Sequence, residues 1–124
     1  MIEKEKCLFM QKIIFDRDGL TVNMGGMEDL VKGSVEVFLE FSPQFLSKIK
    51  NSIDLKNMMD VRLNVHSLKG SALNSGATAI VETLKKIEAL EPGDKYFAEA
   101  ECLFIELEND YADYAEEVKK QGLI

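Results

Sequence analysis

The run of apolar residues near the end of the chain restricts the fold more than any other sequence feature. Its members are Phe97, Ala100, Phe104, Leu107, Tyr111, Tyr114 and Val118. Alternating steps of three and four residues place such side chains on one face of an α-helix. Because this face continues over three heptads, it requires other helices to cover it. The pattern therefore predicts a helix over 95–121 that packs within a helical protein.

A second helical pattern begins at Glu28. Its expected inward face is Leu30, Ser34, Phe38, Phe41, Phe45, Ile49 and Ile53. Ser42 and Pro43 interrupt this pattern, because proline lacks a backbone N–H and suits the first position of a helix after a serine cap. We therefore expect a break or a kink at this point.

Two shorter helices are expected between these patterns, over 55–74 and 78–90. Asp54 is a suitable N-cap for the first, and Gly76 suits the positive φ that often ends a helix. The Pro-Gly pair at 92–93 marks a turn before the last helix. The expected inward face of the helix over 55–74 is Met58, Val61, Val65, Leu68 and Ala72.

These four helices predict an all-α protein, an antiparallel up-and-down four-helix bundle over 28–121. A lead-in segment over 1–27 precedes the bundle, with a short amphipathic helix around 3–13. The 124 residues suffice for one domain with one core. We expect a monomer, since each helix uses its apolar seam inside the fold, and the initial Met favours a free-standing chain.

Composition excludes several classes of function. The chain has 22 acidic and 15 basic residues, a net charge of −7, which argues against nucleic-acid binding. Its start lacks the features of a signal peptide, and no apolar stretch approaches the roughly 20 residues of a membrane span. Cys7 and Cys102 are too few for a disulfide framework. We expect both thiols to be buried and reduced, in a cytoplasmic protein.

His66 is the only histidine, and it lies off the inward face of the helix over 55–74. Each residue turns a helix by about 100°, so His66 is rotated away from Val65 toward a different surface. Its neighbours on this surface are Met59, Arg62, Leu63, Lys69, Gly70 and Leu73. A glycine inside a helix costs about 1 kcal/mol relative to alanine. Gly70 therefore has a purpose, either clearance for another molecule or a tight helix crossing.

This surface combines the groups that phosphoryl transfer to a histidine requires. A neutral imidazole nitrogen is a competent nucleophile near neutral pH. Lys69 lies one turn from His66 and can donate a charge-assisted hydrogen bond to an anion on the ring. With clearance at Gly70, the site has a nucleophile, a counter-cation and an open approach.

The turn near Gly76 places further residues beside this surface. In a hairpin of the two shorter helices, residues whose numbers sum to about 154 lie side by side, so Glu88 faces His66 and Lys85 faces Lys69. Glu88 can accept a hydrogen bond from Nδ1 and leave Nε2 free to attack. Lys85 can add to the positive field for a phosphate.

Structural roles are alternatives for several of these residues. Glu88 can instead form a surface ion pair with Lys85 or Lys86. Arg62 and Lys69 can belong to an ordinary solvated face. Three apolar neighbours of His66 can simply complete the edge of the core: Met59, Leu63 and Leu73.

The stretch HSLKGSALNSGA, residues 66–77, resembles the signature of histidine-containing phosphotransfer (HPt) domains, and the likeness extends from about Phe15 to Val118. The resemblance implies a four-helix bundle whose exposed histidine relays phosphoryl groups between aspartates of response-regulator receiver domains, or accepts one from a sensor or hybrid histidine kinase. It implies His66 as the phosphoacceptor, Lys69 as the stabilising cation and Gly70 as clearance. Ser75 and Leu73 depart from the usual apolar and small residues, which bears on partner identity.

The resemblance leads us to expect a phosphocarrier rather than an enzyme. No carboxylate cluster beside His66 is suited to hold a metal, so we expect no cofactor, with Mg²⁺ supplied by the receiver. The expected docking residues are Met59, Arg62, Leu63, Leu73 and Lys85. A hydrolase with a His66–Glu88 dyad lacks an oxyanion site, and a structural metal site lacks ligands. The main alternative is a non-phosphorylating helical adaptor that docks a receiver or kinase domain.

Overall fold

The computed structural model describes residues 12–124, which form five helices and no strand. The helices are α1 (Arg17–Asn23), α2 (Glu28–Asp54), α3 (Met58–Leu73), α4 (Thr78–Glu88) and α5 (Tyr96–Lys120). The all-α prediction is confirmed for this part of the chain. Most of the helix predicted around 3–13 lies outside the described residues. Within the described range, no helix is both long and apolar enough to cross a membrane.

The lead-in segment contains a helix, α1, that the sequence pattern did not predict. Asp16 caps it, because its side chain accepts a hydrogen bond from the Gly19 backbone N–H at 3.0 Å. Leu20 is its only buried residue, so the helix is too short and too polar to show a periodic pattern. Phe15, just before α1, contacts the Tyr114 ring edge to face, with centroids 5.6 Å apart. The lead-in thus contributes apolar side chains to the core.

The predicted break at Ser42 and Pro43 is wrong, because α2 continues through both residues. Proline at position 43 leaves the carbonyl of Leu39 without its usual helical donor. The hydroxyl of Tyr111 on α5 donates to this carbonyl at 3.3 Å. A side chain from a neighbouring helix therefore replaces the hydrogen bond that proline removes.

The predicted inward face of α2 is partly wrong. Leu30 and Phe41 are each 49% exposed, whereas Val31 and Val35 are completely buried. The helix carries two apolar stripes about one residue apart, and periodicity alone does not rank them. The stripe that is buried in the core includes Val31 and Val35 and continues to Ile53.

The histidine helix, α3, begins later than predicted. Asp54 is the last residue of α2 and does not cap α3. Asn57 is the N-cap, and its side chain accepts a hydrogen bond from the Asp60 backbone N–H at 3.1 Å. The predicted inward face is confirmed at four positions and Met58 is half-buried. The buried residues are Val61, Val65, Leu68 and Ala72.

The four longer helices enclose one core. α2 and α4 each pack against both α3 and α5, and α1 packs against α2. The predicted face of α5 is buried at five of its seven positions, and Phe97 and Tyr111 are half-buried. The expectation of a buried thiol is wrong for Cys102, which is exposed.

Hydrogen bonds fix the end of α3, near the predicted turn. Gly76 has a φ of +65°, as its position predicted. The Tyr114 hydroxyl donates to the carbonyl of Ser75 at 2.8 Å, and burial raises the pKa of this hydroxyl, which keeps it a donor. Ser75 itself is buried and donates to the carbonyl of Ser71 at 3.0 Å. The resemblance suggests an apolar residue at position 75. The polar Ser75 can be buried there because its hydroxyl has a hydrogen-bond partner one turn earlier in the chain.

A buried carboxylate joins α4, α5 and the lead-in. Asp110 is 3% exposed, accepts a hydrogen bond from the Thr83 hydroxyl, and lies 2.9 Å from Lys12 Nζ. Burial disfavours the charge of Lys12, but hydrogen bonds to Asp110 and Glu106 outweigh it and raise the Lys12 pKa above 10.5. Burial likewise disfavours the Glu106 carboxylate, but the adjacent Lys12 and Lys86 lower its pKa below 4.5. These contacts fasten Lys12 to α5.

Candidate functional site

His66 projects from the middle of the outer face of α3. Its side chain is 76% exposed. Val65 and Leu68 on the same helix are buried in the core, and their burial fixes the rotation of α3. The imidazole is therefore presented to solvent and to any molecule that approaches this face.

Glu88, the last residue of α4, lies between the imidazole and a lysine. Its Oε2 is 3.6 Å from His66 Nδ1, and its Oε1 accepts a hydrogen bond from Lys69 Nζ at 2.6 Å. The side chains of Lys69 and Glu88 are 22% and 28% exposed. The hairpin register thus brings Glu88 beside His66 as predicted, and it also brings Lys69 to the same carboxylate.

Lys85 forms its ion pair within its own helix. Its Nζ is 3.6 Å from Glu82 on its own helix, and Lys69 is paired with Glu88 instead. Lys86 pairs with Glu106 on α5 at 3.4 Å. The alternative that Glu88 forms an ion pair with Lys85 or Lys86 is therefore wrong.

Gly70 faces open space. Among the described residues, no atom outside the adjacent helix backbone would lie within 4 Å of a β-carbon at this position. This excludes a tight helix crossing as the reason for the glycine. The surface one turn from His66 is unobstructed.

The apolar residues around His66 do not complete the core. Met59, Leu63 and Leu73 are 80%, 63% and 53% exposed. The Arg62 guanidinium lies over the ring of Tyr96, 6.0 Å from its centroid, a distance compatible with a cation–π contact. The face around the imidazole therefore combines exposed apolar side chains with the positive charge of Arg62.

An apolar groove between α2 and α3 was not found from sequence. Its volume is about 800 Å³, and it reaches Ser71 on α3 and Asn74 directly after that helix. On its α2 side are Val37, 54% exposed, and the two residues misassigned to the core, Leu30 and Phe41. The signal was the second apolar stripe of α2, with Leu30, Val37 and Phe41 at positions i, i+7 and i+11.

The site is suited to nucleophilic chemistry on an anionic group. An exposed imidazole, an ammonium group and a carboxylate lie together, and the approach over Gly70 is open. In the part of the chain that the structure describes, no three His, Cys, Asp or Glu side chains are grouped so that they could hold a metal ion. The chemistry that these side chains support is transfer of a group to a ring nitrogen.

Comparison with protein families gives a match over most of the chain. The family model described as Hpt domain matches residues 33–117, which include α3, α4 and nearly all of α5. No curated protein and no solved structure matches the chain significantly. The matched range contains His66, Lys69, Gly70 and Glu88, and it excludes Lys12.

Proposed function

Since this chain belongs to the Hpt domain family, we propose that it is a phosphocarrier that accepts a phosphoryl group on His66 and donates it to a receiver-domain aspartate. Hpt domains act in histidine phosphotransfer within phosphorelays and interact with receiver domains and histidine kinases. They are phosphocarriers rather than true enzymes. The residues of the transfer site are our proposal.

The exposure of His66 beside Glu88 is the observation that carries this assignment. His66 Nδ1 lies 3.6 Å from the Glu88 carboxylate, whose negative charge favours the tautomer with its proton on Nδ1 and the lone pair on Nε2. Nε2 is then the nitrogen available for attack. A histidine buried in the core or held by other side chains could not perform this reaction.

The transfer conserves charge and protons without an additional reactant. The Nε2 lone pair attacks the phosphorus of a phosphoaspartate, the P–N bond forms, and the P–O bond breaks with its electrons left on the aspartate carboxylate. The Nδ1 proton stays on the ring. Lys69 is placed to stabilise the added negative charge, and the Mg²⁺ that assists the transfer belongs to the receiver.

Docking of the receiver is proposed to use the face around His66. Met59, Leu63 and Leu73 supply exposed apolar contacts, while Arg62 and Lys85 supply positive charge toward an acidic partner. Gly70 leaves room for the partner's active site to approach the ring.

The proposed carrier is an antiparallel up-and-down four-helix bundle over 28–121, acting in the cytoplasm. Two hydrogen bonds between α2 and α3 support opposite directions for these helices. Ser34 near the start of α2 donates to Asn74 after α3, and Asn64 in α3 donates to Ser52 near the end of α2.

A transfer assay tests the proposal. The purified protein is mixed with a receiver domain charged on its aspartate, quenched, and analysed for a phosphate adduct that is labile in acid and stable in alkali. Because the chain has one histidine, any phosphohistidine formed is phosphorylated His66. We expect the adduct on the wild type and none on His66→Gln.

The assay also distinguishes the adaptor alternative. Receivers that bind both wild type and His66→Gln, with no adduct under any condition, would overturn the phosphocarrier proposal in favour of an adaptor.

A further inference from the structure

Lys69 and Glu88 present opposite charges to His66, so the site is electrically balanced before any phosphoryl group arrives. Resting on the function proposed above, we propose that Glu88 destabilises phosphorylated His66 and thereby makes the protein pass the group on rather than store it. The carboxylate does so by keeping Lys69 engaged, so that Lys69 is less available to the phosphoryl group.

The distances show which group Glu88 engages more closely. Its contact with Lys69 is 2.6 Å, within the range of a strong charge-assisted hydrogen bond, whereas its contact with Nδ1 is 3.6 Å, longer than a hydrogen bond. Both members of the ion pair are more than two-thirds shielded from solvent. Solvent therefore screens their charges less than it would on an open surface.

The phosphoryl group adds negative charge next to this pair. A phosphoryl group on a protein carries about −1.5 to −2 at neutral pH, and the protonated ring offsets only part of it. With Glu88 present, Lys69 must be shared between two anions. Without the Glu88 charge, Lys69 serves the phosphoryl group alone, and the phosphorylated state is more stable.

Equilibrium measurements separate this role from simple orientation of the ring. A residue that only orients the imidazole changes the forward and reverse rates by the same factor and leaves the equilibrium unchanged. A charge that acts on the product changes the equilibrium itself. The informative quantity is the partition of phosphoryl groups between His66 and a receiver aspartate at equilibrium.

Glu88→Gln is the direct test, because glutamine keeps the size and the acceptor oxygen while it removes the charge. We expect the partition to shift toward His66 by about five- to tenfold, as for one charge at this range with partial screening. The hydrolysis half-life of the isolated phosphoprotein should lengthen by a similar factor. In the Lys69→Ala background, Glu88→Gln should change the partition less than about twofold, because the competition for Lys69 is then absent.

Glu82→Gln is the matched control. Glu82 lies on the same helix, is 59% exposed and pairs with Lys85, so its loss changes the net charge equally without touching the His66 site. We expect it to change the partition less than about twofold.

The outcomes distinguish this inference from the function on which it rests. If the wild type never forms phosphohistidine, the proposed function fails. If the wild type is phosphorylated but Glu88→Gln leaves the partition unchanged or shifts it toward the receiver, the phosphocarrier role stands and the inference about Glu88 is overturned.

Discussion

Two lysine–carboxylate pairs of similar length occur in quite different surroundings. Lys69 and Glu88 are 2.6 Å apart at the surface beside His66, and Lys12 and Asp110 are 2.9 Å apart between the lead-in and α5. The Glu88 side chain is 28% exposed, whereas that of Asp110 is 4% exposed. The difference in burial separates a pair that can rearrange from one that is fixed.

The buried pair has its hydrogen bonds completed on several sides. Asp110 accepts from the Thr83 hydroxyl as well as from Lys12, and a buried carboxylate requires such donors. Glu88 is instead partly exposed to solvent beside the open imidazole. The chemistry of the two pairs is the same, but only the pair beside His66 has room to exchange partners during a reaction.

The largest effect is expected from breaking the buried pair. Asp110→Ala leaves the buried Thr83 hydroxyl and the Lys12 ammonium without their acceptor, and hydrogen bonds to charged groups contribute about 1.5–3 kcal/mol each. We expect the free energy of unfolding to fall by about 2–3 kcal/mol, measured by chemical denaturation. Asp113→Ala, at an exposed position on the same helix, is the control. Equal losses for both variants would contradict a special role for Asp110.

Much of the fold follows from helices that carry a single apolar stripe. The buried faces of α3 and α5 follow from their spacing, and burial of the α3 stripe determines that His66 points outward. The closeness of Glu88 to His66 follows from the turn at Gly76, which brings α4 back along α3. A helix with one apolar stripe can bury that stripe in only one rotation about its axis. The local sequence pattern is therefore sufficient to predict the buried face of such a helix.

Features that depend on distant residues could not be predicted in this way. Tyr111, on another helix, compensates for Pro43, and local propensity alone predicted a break. α2 has two stripes, and only the packed helices decide which is buried. The pairing of Lys69 with Glu88 depends on where the side chains of two helices meet. Counting residues from the hairpin turn does not determine which side chains form the contact.

Gly70→Ala tests the open space beside the Lys69–Glu88 pair. Alanine in an exposed helix interior is more stable than glycine by about 0.5–1 kcal/mol, and the β-carbon meets no neighbour here. We therefore expect the free energy of unfolding to rise by that amount while phosphotransfer from a receiver slows. Stability and transfer are measured on the same preparation. A loss of stability would show that the glycine is required by the fold and not by a partner.

Lys69→Ala is expected to change stability much less than Asp110→Ala. Partly exposed ion pairs contribute about 0.2–1 kcal/mol, because solvent screens them and ordering the side chains is costly. The free energy of unfolding should therefore fall by no more than about 1 kcal/mol, whereas the phosphorylated fraction of His66 should fall several-fold. Denaturation and the transfer assay together make the comparison. A loss of stability as large as that of Asp110→Ala would remove the distinction between the two pairs.

A similarly small effect on stability, but one that depends on pH, concerns Glu106, which contacts Lys12 at 3.1 Å at the edge of the buried pair. Burial opposes its charge, but the hydrogen bond and charge of Lys12 hold its pKa below 4.5, so its contribution to stability is present above that value and is lost as the pH falls through the lower folded-state pKa. At neutral pH Glu106→Gln should therefore be less stable than wild type by about 0.2–1 kcal/mol, and the difference should vanish in acid. Denaturation curves of both proteins from neutral to acidic pH measure it, with the exposed Glu108→Gln as control. A difference that stays constant over this range would show that the Glu106 side chain stabilises the Lys12 contact by packing rather than by charge.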